Sequence, residues 1–158
     1  SFSLAQNHRD EGQPSVWDEG QDLTEVSGVR ALLWSLAVRD GQPDAFLAFH
    51  RAVFDARHDR GADLNDPAVL AQIAIACGLD AATIESVVAS GLPMKVLRDE
   101  HTRLVEDHAV FGVPTFIAGD EAVFVRLMDR NRPDDLARVI DMIGWSTLNE
   151  FKRTKIPR

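Results

Sequence analysis

Cysteine and histidine are the residues that could give this chain redox or metal chemistry, and neither type is arranged for it. The single cysteine, Cys77, excludes an intrachain disulfide. It ends an apolar run before Gly78, a pattern that favours a small buried thiol in the core. The sequence has five histidines: His8, His50, His58, His101 and His108. None has metal-ligand spacing to another histidine or to Cys77, so we predict no metal site.

The segment 110–117, Val-Phe-Gly-Val-Pro-Thr-Phe-Ile, has the most informative order of residue types. A helical pattern ends before it, Gly112 allows a turn, and Pro114 stands immediately before a β-rich run. Because proline cannot donate to a β-ladder, it fits the first position of a strand. The residue types alone favour a trans proline at this point. His108 lies near the loop, and its side chain could face an adjacent cleft.

Most of the elements that must position this loop are predicted to be helices. Their apolar residues recur with the helical period, and proline or aspartate marks several of their starts. The predicted helices cover about 23–41, 43–58, 67–77, 81–89 and 92–109. Asp22 and Glu25 are spaced as a capping box for the first of them.

Strands are predicted near both ends of the chain. Residues 1–4 read as a short opening strand, and a polar loop follows over 7–22. Residues 115–118 and 122–127 form a predicted hairpin, and Pro133 opens a last amphipathic helix. The order of strand, helical block, hairpin and helix predicts an α/β or α+β fold with a small sheet.

Length and charge limit the classes of function. A chain of 158 residues with 45% hydrophobic residues suits one globular domain, which we predict over 1–158. The net charge of −8 disfavours binding to nucleic acid or to an anionic membrane surface. No apolar run approaches the roughly 20 residues that span a bilayer. The chain shows no signal-peptide pattern, and a cytoplasmic location is the expectation.

The motif Phe111-Gly112-Val113-Pro114-Thr115-Phe116, followed by a hairpin and an amphipathic helix, resembles the DsbA-like branch of the thioredoxin superfamily. Kappa-class glutathione transferases and 2-hydroxychromene-2-carboxylate isomerases share that branch. The resemblance covers most of the chain and implies an α/β, thioredoxin-like fold with a helical insertion over about 23–109. Ala109 departs from the family pattern, because many relatives have glycine at that position.

The resemblance also implies roles for the loop residues. It identifies Pro114 as the family's cis-proline, with Val113 and Thr115 flanking a substrate-binding groove. The family carries its nucleophile in a Cys-x-x-Cys motif, or a serine-containing relative, where the first strand meets the first helix. No such motif occurs in these 158 residues, so we predict no catalytic residue among them. The N-terminal strand and the active-site helix are expected upstream of Ser1.

By this resemblance the chain is a thiol-disulfide oxidoreductase that acts on protein disulfides. An alternative is a reductase, transferase or isomerase that acts on a small molecule with glutathione or mycothiol as co-substrate. A second alternative is a non-catalytic binding module, and a homodimer is compatible with each. Residues 149–155 resemble the tail of actinobacterial members that use mycothiol. No tightly bound cofactor is expected.

Overall fold

The computed structural model describes residues 1–18, 20, 26, 28–125 and 131–147. Contacts within the chain group it into two compact units, Ser1–Arg103 and Leu104–Arg158. The single domain over 1–158 stays a prediction. Asp22, Glu25 and the tail 149–155 lie outside the described residues, as do Arg126 and Leu127 of the predicted second strand.

The first unit is built from helices. They are α1 (Leu4–Asn7), α2 (Val29–Gly41), α3 (Pro43–His58), α4 (Pro67–Ala76), α5 (Ala81–Ala89) and the first part of α6 (Leu92–His108). From α3 to α6 the bounds agree with the predicted ranges within one residue. Within the described part of the chain, no helix is long and apolar enough to cross a membrane.

Capping side chains fix where two of these helices begin. The carboxylate of Asp66 accepts a hydrogen bond from the amide of Ala68 at 2.8 Å, and Pro67 occupies the first helical turn of α4. Asp80 accepts from the amide of Ala82 at 3.1 Å at the start of α5. Each bond satisfies an amide that the helix leaves without a partner, so both predicted starts are confirmed.

The core of the first unit lies among α2, α3, α4 and α5. The buried apolar side chains of these helices form one cluster. The largest fully buried ones are Trp34, Phe49 and Leu70, and Trp34 is only 1% exposed. Cys77 is half-buried and packs against the same cluster. The sequence favoured a buried thiol, and the structure leaves Cys77 partly exposed, although its contacts with the cluster agree with a packing role.

The opening strand predicted over residues 1–4 is wrong. Leu4 begins a short helix instead, because the Ser3 hydroxyl accepts a hydrogen bond from the amide of Gln6 at 3.2 Å. Phe2 and Ser3 are buried rather than alternating between an inner and an outer face. Ser3 therefore acts as a helix cap and Phe2 as a buried side chain, and their alternation does not indicate a strand.

The second unit contains an antiparallel hairpin of β1 (Thr115–Ala118) and β2 (Glu121–Phe124), followed by α7 (Pro133–Ile143). Thr115 lies opposite Phe124, and Ala118 opposite Glu121, so the turn has two residues. Its first residue, Gly119, has a φ of 61°, which suits glycine. Helical and β elements thus occur together, and the predicted α/β class is confirmed.

Candidate substrate-binding loop

The end of α6 directs the chain into the loop that the sequence singled out. Ala109 follows the helix with a φ of 50°, in the left-handed region. The amide of Val110 then donates to the carbonyl of Leu104 at 3.2 Å, and Val110 is buried. The chain therefore reverses over the last turn of the helix, which positions Phe111 and Gly112 at the start of the loop.

Hydrogen bonds hold the loop at both ends. The hydroxyl of Thr115 donates to the carbonyl of Gly112 at 2.7 Å, across the turn that contains Val113 and Pro114. The amide of Val125 donates to the carbonyl of Pro114 at 3.2 Å and extends the β-ladder by one pair. The Val113–Pro114 peptide bond is cis, which is the geometry that the resemblance implied.

The structure brings the three predicted site residues together in this one loop. Val113 is 47% exposed and Pro114 is also exposed, whereas Thr115 is half-buried. The hydroxyl of Thr115 is occupied by the carbonyl of Gly112, so its side chain supports the loop. Val113 and Pro114 present the accessible surface. Their role in substrate binding stays a prediction.

The hydrogen-bond phase of the hairpin determines which backbone groups face outward. In an antiparallel pair, residues that bond to the partner strand alternate with residues whose amide and carbonyl point away. Pro114 bonds towards β2, so the backbone groups of Thr115 point to the opposite edge. Outward backbone groups of this kind can pair with an extended chain.

Two aromatic residues beside the loop were missed by the sequence reasoning. The rings of Phe111 and Phe124 have centroids 5.0 Å apart and are tilted by 46°. A Cβ atom added to Gly112 would lie 3.0 Å from Cε2 of Phe124, so this ring lies directly against the loop backbone. Their contact depends on the hairpin register, which places Phe124 opposite Thr115 and which the residue types did not determine.

His108 is the last residue of α6 and is half-buried. Its Nδ1 atom is buried and has no hydrogen-bond partner among the described residues. The second unit thus holds both this imidazole and the proline loop. That His108 faces a cleft stays a prediction.

His101 is a second histidine of interest, and the sequence gave no indication of it. Its Nδ1 atom accepts a hydrogen bond from the amide of Ser3 at 3.2 Å, and the side chain is 6% exposed. The rings of Phe2 and Trp17 lie 4.5 and 5.4 Å from it. Burial lowers the pKa of His101.

An ion-pair cluster also stabilises the first unit. Arg39 contacts Glu100 with Nη2–Oε1 at 2.8 Å and Nη1–Oε2 at 3.1 Å, and its Nε atom lies 2.6 Å from Asp40. Burial alone would raise the pKa of Glu100, but the hydrogen bonds and positive charge of Arg39 lower it. These charges are paired with one another, which favours a structural role.

The part of the chain that the structure describes contains no cluster of histidine, cysteine, aspartate or glutamate that could hold a metal ion. A family model for a DSBA-like thioredoxin domain matches residues 15–141. This range includes the helical block, the proline loop and the hairpin. No curated protein matches the chain.

Proposed function

The chain belongs to the family of DSBA-like thioredoxin domains, and we propose that it works in thiol-disulfide exchange with a cysteine pair carried upstream of Ser1. The observation that carries this proposal is the family match over residues 15–141, which includes the exposed loop Val113–Thr115 at the start of β1. Cys77 is a poor candidate for the nucleophile, because it packs against the helical core.

The proposed reaction has two steps. A thiolate of the upstream pair attacks one sulfur of the substrate disulfide, forms a mixed disulfide and releases the other sulfur as a thiolate. The second cysteine thiolate then attacks the mixed disulfide, releases the reduced substrate and leaves the pair oxidised. The same steps run in reverse when the pair oxidises a dithiol, so the chemistry balances in either direction.

The loop contributes binding and position to this reaction. An extended substrate can pair with the outward backbone groups of Thr115, which would position its sulfur for attack by a thiolate. The hydrogen bond from the Thr115 hydroxyl to the Gly112 carbonyl holds the loop in this conformation before any substrate binds. Fixed donors and acceptors reduce the entropy lost when the substrate binds.

The decisive experiment begins with the residues encoded immediately before Ser1. With its upstream cysteine pair oxidised, the chain should form a mixed disulfide with a peptide that carries one free thiol, as the peptide thiolate attacks the pair and releases its second cysteine; the adduct is detected by mass spectrometry after acid quenching. Cys77→Ser should leave the adduct unchanged, whereas replacing the first upstream cysteine with serine should abolish it. An upstream sequence with no cysteine would contradict the proposal.

A small-molecule reaction is the second candidate, and one observation favours it. The helical block contains an open groove of about 310 Å³ between α3 and α4, lined in part by Arg60, Gln72 and Ile73. Turnover of an aromatic substrate with glutathione or mycothiol, without exchange with protein disulfides, would support this candidate over the first.

A further inference from the structure

Residues 1–18, which we call the N-terminal segment, are folded by hydrogen bonds of their own. The side-chain oxygen of Gln6 accepts a hydrogen bond from the amide of Val16 at 2.8 Å. The amide of Ser15 donates to the carboxylate of Asp18 at 2.7 Å. These bonds join residues within the segment, so it can move relative to the helices without losing them.

Both ends of the N-terminal segment contact one histidine of α6. At its start, the amide of Ser3 donates to Nδ1 of His101, and the centroid of the Phe2 ring lies 4.5 Å from that of the imidazole. At its end, the centroid of the Trp17 ring lies 5.4 Å from the same imidazole. Because His101 is only 6% exposed, it attaches the segment to α6 from within the contact.

The N-terminal segment also covers apolar side chains of the helices. Val16 is 1% exposed and lies in a cluster with Leu33 and Leu36 of α2 and Leu97 of α6. Trp17 packs against the same cluster. Detachment of the segment would expose these leucines to water, so their burial favours the attached state.

The hydrogen bond from Ser3 requires a neutral imidazole. Nδ1 of His101 accepts this bond, and a second ring proton would lie on the same atom and point at the amide hydrogen of Ser3. Burial already lowers the pKa of His101, since the buried ring cannot hydrate a charge. Protonation therefore opposes the attachment in two ways, by removing the acceptor and by placing a charge among apolar groups.

The charged groups beside His101 are paired with other groups. Glu100 of α6 contacts Arg39 of α2 at 2.8 Å, and the backbone nitrogen of Ser1 contacts the same carboxylate. In the N-terminal segment, the carboxylate of Asp18 accepts from a backbone amide. Among the residues that the structure describes, no carboxylate forms an ion pair with the imidazole, so nothing there offsets the cost of charging it.

We propose that His101 is a pH-sensitive switch whose protonation detaches the N-terminal segment and uncovers the apolar cluster on α2 and α6. The freed imidazole is hydrated and holds its proton, which drives the opening. The other helices stay folded, since none of the described residues in the core cluster around Trp34 and Leu70 belongs to the segment. The switch needs no cysteine and does not depend on the proposed disulfide exchange.

Hydrogen exchange can detect this local opening in the full chain. Exchange of the Ser3 amide would be measured at pH 7.5 and 5.5 and corrected for the intrinsic rate at each pH. An exposed histidine titrates near 6.5, so the opening equilibrium should rise by up to about tenfold over this interval. The Leu70 amide should remain better protected at both pH values. A Ser3 amide that exchanges no faster than Leu70, or equally at the two pH values, would overturn the proposal.

The variant His101→Gln tests whether the imidazole causes the response. The glutamine oxygen can accept from the Ser3 amide but takes no proton, so the opening should change by less than about twofold between the two pH values. The matched control is His50→Gln, at a half-buried histidine of α3 that stacks with Phe46 and Phe54 of its own helix. It should keep the full response. A response that survives His101→Gln would assign it to another group and overturn the proposal.

A titration of the unaltered protein covers the case in which His101→Gln does not fold. Nitrogen-15 chemical shifts of the ring report the protonation of His101, and the fluorescence of the apolar dye ANS reports the uncovered leucines. The two transitions should share one midpoint below pH 6.5 while the Leu70 amide stays protected. Protonation of His101 without dye binding, or dye binding while the ring is neutral, would each overturn the proposal.

Discussion

The backbone amide of Ser3 donates a hydrogen bond to Nδ1 of His101, at 3.2 Å. Because Nδ1 accepts this bond, the neutral ring must have its proton on Nε2. Protonation would place a second hydrogen on Nδ1, directed at the Ser3 amide. The contact between the N-terminal segment and α6 therefore requires a neutral imidazole.

We predict that acid destabilises the protein through His101. Burial lowers its pKa below the ordinary value of 6.5, so the unfolded chain binds the proton more readily than the folded one. The contribution is complete above pH 6.5 and is lost as the pH falls below that value. Urea midpoints at pH 7.5 and 5.5 should differ less for His101→Gln than for the wild type.

The control for this measurement is His8→Gln, at an exposed residue. It should leave the pH dependence unchanged. Burial also lowers the pKa of His50. Part of the pH dependence of stability should therefore remain in His101→Gln, and it should be smaller in the double variant that combines His101→Gln with His50→Gln. A dependence that is the same in all four proteins would contradict this account.

The pair Arg39–Glu100 should contribute measurable stability. Its two contacts, at 2.8 and 3.1 Å, are bidentate, and both side chains are partly shielded from water. A double-mutant cycle with Arg39→Gln and Glu100→Gln should give a coupling of about 1 kcal/mol at neutral pH. The exposed pair Lys95–Asp99, at 3.9 Å, is the control and should give a coupling near zero.

Acid titration gives a separate check on Glu100. Its pKa is lowered below the ordinary 4.5, so its contribution is complete above pH 4.5 and is lost as the pH falls below that value. This pH range lies below the range in which protonation of His101 and His50 affects stability. Glu100→Gln should therefore flatten the stability profile below pH 4.5 and not above it.

Ala109→Gly should stabilise the protein. Ala109 has a φ of 50°, a conformation that costs a residue with a Cβ atom about 1 kcal/mol and that glycine adopts freely. Guanidinium unfolding should give a gain of that size. Ala48→Gly, in the exposed middle of α3, should instead lose about 1 kcal/mol. Losses at both positions would show that the left-handed turn is not strained by alanine.

Thr115→Val should weaken the loop while keeping its shape. Valine removes the hydroxyl that bonds to the Gly112 carbonyl, at an expected cost of about 1 kcal/mol. Thr115→Ser retains the hydroxyl and should cost less. Amide exchange at Val125, whose N–H donates to the Pro114 carbonyl, should increase in the valine variant alone. Similar exchange in both variants would mean that the hydrogen bond does not hold the loop.

Local signals in the sequence were sufficient for much of the fold. Two helix starts were predictable because Asp66 and Asp80 each accept a hydrogen bond from the amide two positions further along the chain. Both partners of each bond are therefore visible in a short stretch of sequence. The hairpin followed from its β-rich runs around Gly119. The proline loop was recognisable because its residues are consecutive, and the structure keeps Val113, Pro114 and Thr115 together.

Contacts between distant residues were not predictable in this way. The strand proposed at the N-terminus failed because Ser3 has two roles, as a cap for α1 and as a donor to His101, and the second partner is 98 positions away. The contact of Phe111 with Phe124 likewise depends on hairpin register, which residue types alone leave open.

The sequence separation of these contacts bears on the order of folding. The helices α2, α3, α4 and α5 contact one another within residues 29–89, so their chain segments need close only short loops. The Ser3–His101 bond closes a far longer loop, so forming it costs more chain entropy. The helical block should therefore assemble first, and the contact of residues 1–3 with α6 should form later and open more readily. In hydrogen exchange, the Ser3 amide should open well before that of Leu70 in the core, although the structure buries both residues completely.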